Sequence, residues 1–210
     1  MLSLQTVVPH TLELLKQIMS VPLFSSLRLV GGTALALQYG HRSSVDLDFF
    51  GELEKDTDSV TLALENLGDV IKGNCTDSIK AYHIDGIKTD FVNYSCYPWI
   101  DNPIIEEGIR LASPKDIAAM KINAIMGRGS RKDFVDMHFL LKNYSLDEIL
   151  GFYQQKYSNA SIFRALLSLT YFNDADLQPM PEMFVDTKWD EMKESIITAV
   201  DEYNKKSIQK

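Results

Sequence analysis

The sequence predicts an α+β protein in which a mixed sheet comes first and helices follow. Three observations carry this. A β-rich apolar run at 27–30 is broken by Gly31-Gly32, passes into a helical pattern at 33–39 closed by Gly40, and gives way to the alternating run 45–50. Two further strand-like runs, 78–84 and 87–93, are joined by Asp85-Gly86, a strong two-residue hairpin signal. Beyond Ser113 the pattern becomes helical and stays so.

The elements follow in order. Pro9 and Asp56 start helices over 9–20 and 56–68. Ser113-Pro114-Lys115-Asp116 opens a helix that stops at Gly127, and Ser130-Arg131-Lys132-Asp133 opens another running through Leu141. Ser145 to Glu148 form a capping box, and helices are expected at 146–157, 159–170 and 186–205, with Gln178 to Pro181 as an intervening loop. Tyr153, Tyr157, Phe163, Tyr171 and Phe172 mostly fall at core-like spacing. The expected organisation is an α/β core over 1–110 and a helical region over 111–210. Of the latter, residues 113–142 complete the active site and 143–210 form C-terminal helices.

At 210 residues and 45% hydrophobic, the chain can bury a sizeable core. It has no run of 18 apolar residues and no basic-then-apolar leader pattern, so it reads as a cytoplasmic protein without a membrane partner. Cys75 and Cys96 lack CxxC spacing and a histidine cluster, which argues against both zinc and a structural disulfide.

The chemistry concentrates in the first block. Strand alternation puts Val45, Leu47 and Phe49 on one face and Asp46 and Asp48 on the other. Two carboxylates side by side repel unless a cation neutralises them, and Mg²⁺ takes one or two carboxylates while leaving positions for substrate phosphates. The turn Gly31-Gly32-Thr33 at a helix start offers backbone N–H groups to the same phosphates. On 87–93, Lys88, Asp90 and Val92 share a face, so Asp90 joins Asp46 and Asp48 if the strands are neighbours. Two ions there would activate the attacking hydroxyl and stabilise departing pyrophosphate. The alternative for any one of these aspartates is an ordinary edge-strand charge. Arg42 lies where it can reach a phosphate, and a loop-exposed His41-Arg42 pair is an equal alternative.

Net charge is −8, divided as −8 over 1–109, +4 over 110–142 and −4 over 143–210. The basic segment holds Arg110, Lys115, Lys121, Arg128, Arg131, Lys132 and Lys142. It reads either as a stripe attracting triphosphate or RNA, or as a solvated helix face. On the stripe reading, reversing Arg128 and Arg131 to Glu weakens RNA modification more than NTP binding. Lys121 falls on the apolar stripe with Ile117 and Ile125, either snorkelling or entering a cleft with negative charge, and Lys121→Met should then leave stability roughly unchanged. Asp133 is explained by capping and the helix dipole, whereas Asp136 has only a pair with Lys132 as its simple explanation. His138 reads as a packed core histidine.

Gly31-Gly32-Thr33 with the following Ala-Leu-Ala-Leu, His41-Arg42-Ser43, Asp46-Leu47-Asp48-Phe49-Phe50, Lys121 and Arg131-Lys132-Asp133-Phe134-Val135-Asp136 resemble the AbiEii/AbiGii toxin family. That family belongs to the polymerase-β-like nucleotidyltransferase superfamily and to bacterial abortive-infection and toxin–antitoxin systems. The resemblance spans about residues 25 to 145. It implies a polymerase-β-like fold with a mixed sheet, Asp46, Asp48 and Asp90 as metal ligands, and Lys121 as a triphosphate or catalytic lysine. Asp136, or in its place Asp133, becomes the acid of the last motif. The implied reaction is Mg²⁺-dependent, with a two-ion site in the sense of the dyad chemistry above, and moves an NMP from an NTP to a hydroxyl. The implied acceptor is RNA, with the tRNA acceptor end in view, and a cognate antitoxin is the implied protein partner. Rival readings are a small-molecule transferase of the aminoglycoside-modifying kind, a protein-modifying transferase, and a non-catalytic module on the same fold.

Overall fold

A computed structural model of the chain describes residues 1–53 and 56–208. They fall into two compact units, one of residues 1–97 and 102–113, the other of 98–101 and 114–210.

The first unit holds the sheet. Its strands are β1 (Arg28–Leu29), β2 (Leu47–Gly51), β3 (Val70–Cys75), β4 (Ile79–Ile84), β5 (Ile87–Asn93), β6 (Ile104–Glu106) and β7 (Ile109–Leu111). Among the described residues they form one mixed sheet in the order β3-β4-β5-β2-β1-β7-β6. β2 runs parallel to β5 and β1 parallel to β7, while the remaining pairs are antiparallel. The helices of this unit are α1 (Pro9–Ser20), α2 (Gly31–Tyr39) and α3 (Thr57–Glu65).

The centre is built by alternation. Leu47 and Phe49 of β2 and Thr89 and Phe91 of β5 are fully buried. Phe49 lies level with Phe91 in register, their rings stack at 5.2 Å, and Phe24 closes on Phe91 at 5.0 Å. Successive strand residues point to opposite faces, so this apolar row sends Asp48 and Asp90 to the other side. Val45 departs from the sequence expectation: β2 starts at Leu47, and Val45, before the strand, is exposed rather than packed with Leu47. The β4–β5 hairpin turns through Asp85 and Gly86, both at positive φ, as a two-residue turn requires. Strands β3, β6 and β7 were not legible as strands. The first is mostly exposed and the other two are three residues each, too short to show a period.

The second unit is helical: α4 (Pro114–Gly127), α5 (Arg131–Leu141), α6 (Leu146–Lys156), α7 (Ile162–Leu169), α8 (Asn173–Asp176) and α9 (Trp189–Ile208). The Ser145/Glu148 capping box is present as expected. Tyr153 and Phe172 are buried, but Phe163 and Tyr171 are exposed at 72% and 53%. On α7 the buried pair is Ala165 and Leu169. Phe163 and Leu167 stand two residues, about 200°, round the helix from it.

A buried ion pair fixes the short segment 98–101 to these helices. Lys156 Nζ lies 2.8 Å from Asp116 Oδ1, with both side chains wholly buried. Lys156 also donates to the Pro98 carbonyl at 2.7 Å and lies 4.7 Å from the Trp99 ring centre. Asp116 accepts from the backbone N–H groups of Ile100 and Asp101. Among the described residues no helix is long and apolar enough to cross a membrane.

Removing one member of such a pair strands the other charge in the interior. Lys156→Met is expected to destabilise the protein by about 3–5 kcal/mol. Chemical denaturation checks this, with the double variant Asp116→Asn/Lys156→Met recovering part of the loss.

Candidate active site

The site is built where β1 turns into α2 and β2 passes beside it. Val30 N–H donates to the Asp48 carbonyl at 2.9 Å, tying the end of β1 to β2. Gly31 follows at φ +68°, a conformation that L side chains avoid, and a Cβ there would lie 2.6 Å from Asp48 Oδ2. Gly32 is constrained by space alone, because the guanidinium of the buried Arg42 occupies the position a Cβ would need. Arg42 also donates from Nη1 to the Ser43 carbonyl at 2.8 Å. The two glycines therefore bring a helix N-terminus, a carboxylate and a guanidinium into close approach. The first-turn N–H groups of a helix have no intrahelical acceptors, so this corner suits an anion carried by a cation.

The Thr33 side chain has a part of its own, besides the backbone N–H expected to meet phosphate. It is 1% exposed, its hydroxyl bonds the Asp46 carbonyl, and it lies 2.8 Å from Ser44 Oγ. Its side chain holds the backbone from which the Asp46 carboxylate projects. Asp46 itself sits just before β2 rather than within it.

Asp48 and Asp90 are level in the parallel register of β2 and β5, and Asp46, Asp48 and Asp90 are all half-buried. Lys88 Nζ lies 3.0 Å from Asp90 Oδ2. The hydrogen bond to Asp90 raises the Lys88 pKa, against the lowering effect of burial, and the charges of Asp90, Asp48 and Asp46 raise it further. Asp90 Oδ1 is buried without a hydrogen-bond partner. Among the described residues, no three His, Cys, Asp or Glu side chains are gathered as a group that could hold a metal ion. Asp48 and Asp90 are thus neighbours on one face, with Asp46 just ahead of β2, rather than a pre-assembled cage. The donor set still fits a hard cation: it is all oxygen, it includes an orphaned carboxylate oxygen, and Mg²⁺ needs only one or two carboxylates when substrate phosphates supply the rest.

Lys121 and Asp136 meet within the helical unit. Lys121 Nζ lies 2.5 Å from Asp136 Oδ2 and 3.0 Å from Asp133 Oδ1, with the lysine side chain 5% exposed. Arg128 and Ser130 also donate to Asp133. Burial pushes the Asp133 carboxyl up, but the charges and hydrogen bonds of Lys121, Arg128 and Ser130 outweigh it and hold it far below the usual carboxylate range. Capping does not account for Asp133, because the Ser130 side chain bonds this carboxylate instead of capping the helix. Lys121 does not simply snorkel, since it ends on two buried carboxylates.

The basic segment is not a free stripe. Arg110 donates to the carbonyls of Met19, Phe24 and Leu27. Lys115 pairs with Asp101, and Arg128 with Asp133. Arg131 donates to the carbonyls of Ala175 and Asp176 and lies over the Trp189 ring, while Lys142 lies over Phe139. Reversing Arg128 and Arg131 would therefore strike the helical packing before any RNA contact. His138 is 7% exposed, as a packed histidine should be, and its Nδ1 lies 2.6 Å from Ser195 Oγ. The pairing of Lys88 with Asp90 had a signal in the sequence, two like-facing residues on one strand. The Lys121–Asp133 contact had none, because it joins consecutive helices.

A glycine turn into a helix, Asp46 and Asp48 at the start of the next strand and a mixed sheet together are the features of a nucleotidyltransferase. The model of the AbiEii nucleotidyl transferase toxin, of type IV toxin–antitoxin systems, matches residues 13–208, and the chain belongs to that family. An uncharacterised protein of Aquifex aeolicus (strain VF5) is 36% identical over 197 residues, covering 91% of this chain and 94% of its own. The fold is similar to that of a protein from H. pylori described as a nucleotidyltransferase, with a TM-score of 0.61 and 20% identity over 95% of this chain and 96% of that one. It is also similar to MenT4, a nucleotidyltransferase toxin of Mycobacterium tuberculosis H37Rv, with a TM-score of 0.58 and 13% identity over 90% and 80% of the two chains. The expected nucleotidyltransferase fold with its mixed sheet is thus the one observed.

Two outcomes follow from the packing. Gly31→Ala should cost about 1–2 kcal/mol in backbone strain and displace Asp48. Nucleotide transfer should fall roughly a hundredfold, read against thermal unfolding of the same variant. Lys121→Met should destabilise by about 3–5 kcal/mol, since it leaves Asp133 and Asp136 buried together without their lysine. Denaturant melts test this, and they replace the sequence-based expectation of unchanged stability.

Proposed function

We propose that this chain is the toxin of a bacterial toxin–antitoxin or abortive-infection system and transfers an NMP from an NTP to a hydroxyl of RNA, with tRNA as the first acceptor to test. The observation that carries the chemistry is the carboxylate row of Asp46, Asp48 and Asp90 beside the Gly31-Gly32 turn and the buried Arg42. In this reading Asp46, Asp48 and Asp90 hold Mg²⁺, as one or two ions. When bound, the metal supplies charge neutralisation at the triphosphate and lowers the pKa of the attacking hydroxyl.

The remaining roles belong to the chain itself. The N–H groups of the α2 first turn and the Arg42 guanidinium receive the triphosphate, while Thr33 positions Asp46 through its backbone carbonyl. Asp90, one of whose carboxylate oxygens is buried without a hydrogen-bond partner, helps to deprotonate the acceptor. Lys121 and Asp136 serve as positioning residues, locking α4 to α5, because the charge that Lys121 was expected to offer a triphosphate is spent on two carboxylates. A cognate antitoxin and a cytoplasmic setting complete the reading.

A protein or small-molecule acceptor is the second reading. It is favoured by the engagement of the 110–142 basic side chains with carboxylates, carbonyls and rings, which leaves less positive field for an RNA backbone.

The test supplies each labelled NTP with Mg²⁺ to total RNA, total protein and small hydroxyl acceptors in parallel. Label is expected on RNA with the wild type and on nothing with Asp46→Asn or Asp48→Asn. Both variants should stay folded, because each removes one of two neighbouring like charges. Label on protein or a small molecule instead would move the acceptor class, and full transfer by folded Asp48→Asn would end the metal reading.

A further inference from the structure

We propose that Lys88 is the resident counter-cation of the carboxylate row, the group that a divalent ion must displace to reach Asp90. The inference rests on the metal role proposed above for Asp46, Asp48 and Asp90, and adds to it a residue with no part in that scheme.

Three features of β5 and its neighbour carry it. Lys88 stands two residues before Asp90, so alternation puts both on the face opposite the Phe49–Phe91 stack, and its Nζ lies 3.0 Å from Asp90 Oδ2. The parallel register sets Asp48 level with Asp90, so the carboxylate that holds the ammonium has a second carboxylate as its cross-strand neighbour. Asp90 Oδ1 is buried with no hydrogen-bond partner, so the approachable oxygen of this carboxylate is the Oδ2 that Lys88 holds.

The Lys88 side chain is 50% exposed and Asp90 21%. An ion pair that open is weak, and an ammonium on a flexible four-carbon stem can leave it at little cost. Lys88 therefore steadies the row before the metal arrives without closing it. Once displaced, the ammonium remains beside an ion that carries phosphates, so it exchanges one anionic partner for another.

Mn²⁺ titration of the full chain without nucleotide, followed by electron paramagnetic resonance, tests this. Lys88→Met is expected to bind Mn²⁺ about two- to fivefold more tightly than wild type, the range an exposed ion pair allows. Lys88→Gln should behave in the same way and stands in if the Met variant does not fold, and Lys88→Arg should keep wild-type affinity. Unchanged or weaker binding in the folded neutral variants overturns the proposal. Asp48→Asn and Asp90→Asn separate the two levels of the argument. If they lose Mn²⁺ while Lys88→Met leaves it unaltered, only the counter-cation role falls. If they bind like wild type, or if none of the proteins binds Mn²⁺, the metal reading falls with it.

Discussion

The parallel pairing of β2 with β5 is the constraint on which the first unit depends. It sets Phe49 against Phe91 on the buried face and, by the two-residue period of a strand, sets Asp48 beside Asp90 on the other. Neighbouring strands lie about 4.8 Å apart, so like charges directly opposite one another are unfavourable. The stacked rings and the buried Leu47 and Thr89 hold the strands together against that repulsion. A slip of one residue would send the aspartates into the core and the phenylalanines to solvent. Core and candidate site are therefore products of a single register, and neither can be altered without the other.

Legibility followed the range of the interaction. The hairpin of β4 and β5, the α2 helix between Gly31 and Gly40, and the shared facing of Asp48 and Asp90 were readable because turn chemistry and alternation act over a few residues, whereas alternation was carried too far back at Val45 and Asp46, which precede β2. Short strands such as β6 and β7 left no period to read, although Glu107-Gly108, both at positive φ, repeats the turn chemistry of Asp85-Gly86. Contacts between helices were invisible. Asp133 looked like a capping residue and Lys121 like a snorkelling or catalytic one, whereas they are partners twelve residues apart. The seven basic residues of 110–142 looked like a field because composition counts charges and says nothing of which carbonyl or ring each one meets.

The helical unit keeps unusual amounts of charge inside. Asp116 with Lys156, and Lys121 with Asp133 and Asp136, replace apolar contacts that would bury more cheaply. Lys121 ties α4 to α5 and Asp116 ties it to α6, and loss of either partner leaves the other charge uncompensated in the interior.

Residues 98–101 give the chain an order of assembly. They belong to the helical unit but are synthesised before it, with the β6–β7 hairpin in between. Their carbonyl and N–H groups wait for Asp116 and then for Lys156, which emerges some forty residues later. A fragment that begins at Pro114 would carry the acid and the lysine but lack the backbone groups they serve. The helical half is thus not a portable module, and dissecting this protein into separately expressed pieces requires keeping with it four residues that precede the β6–β7 hairpin.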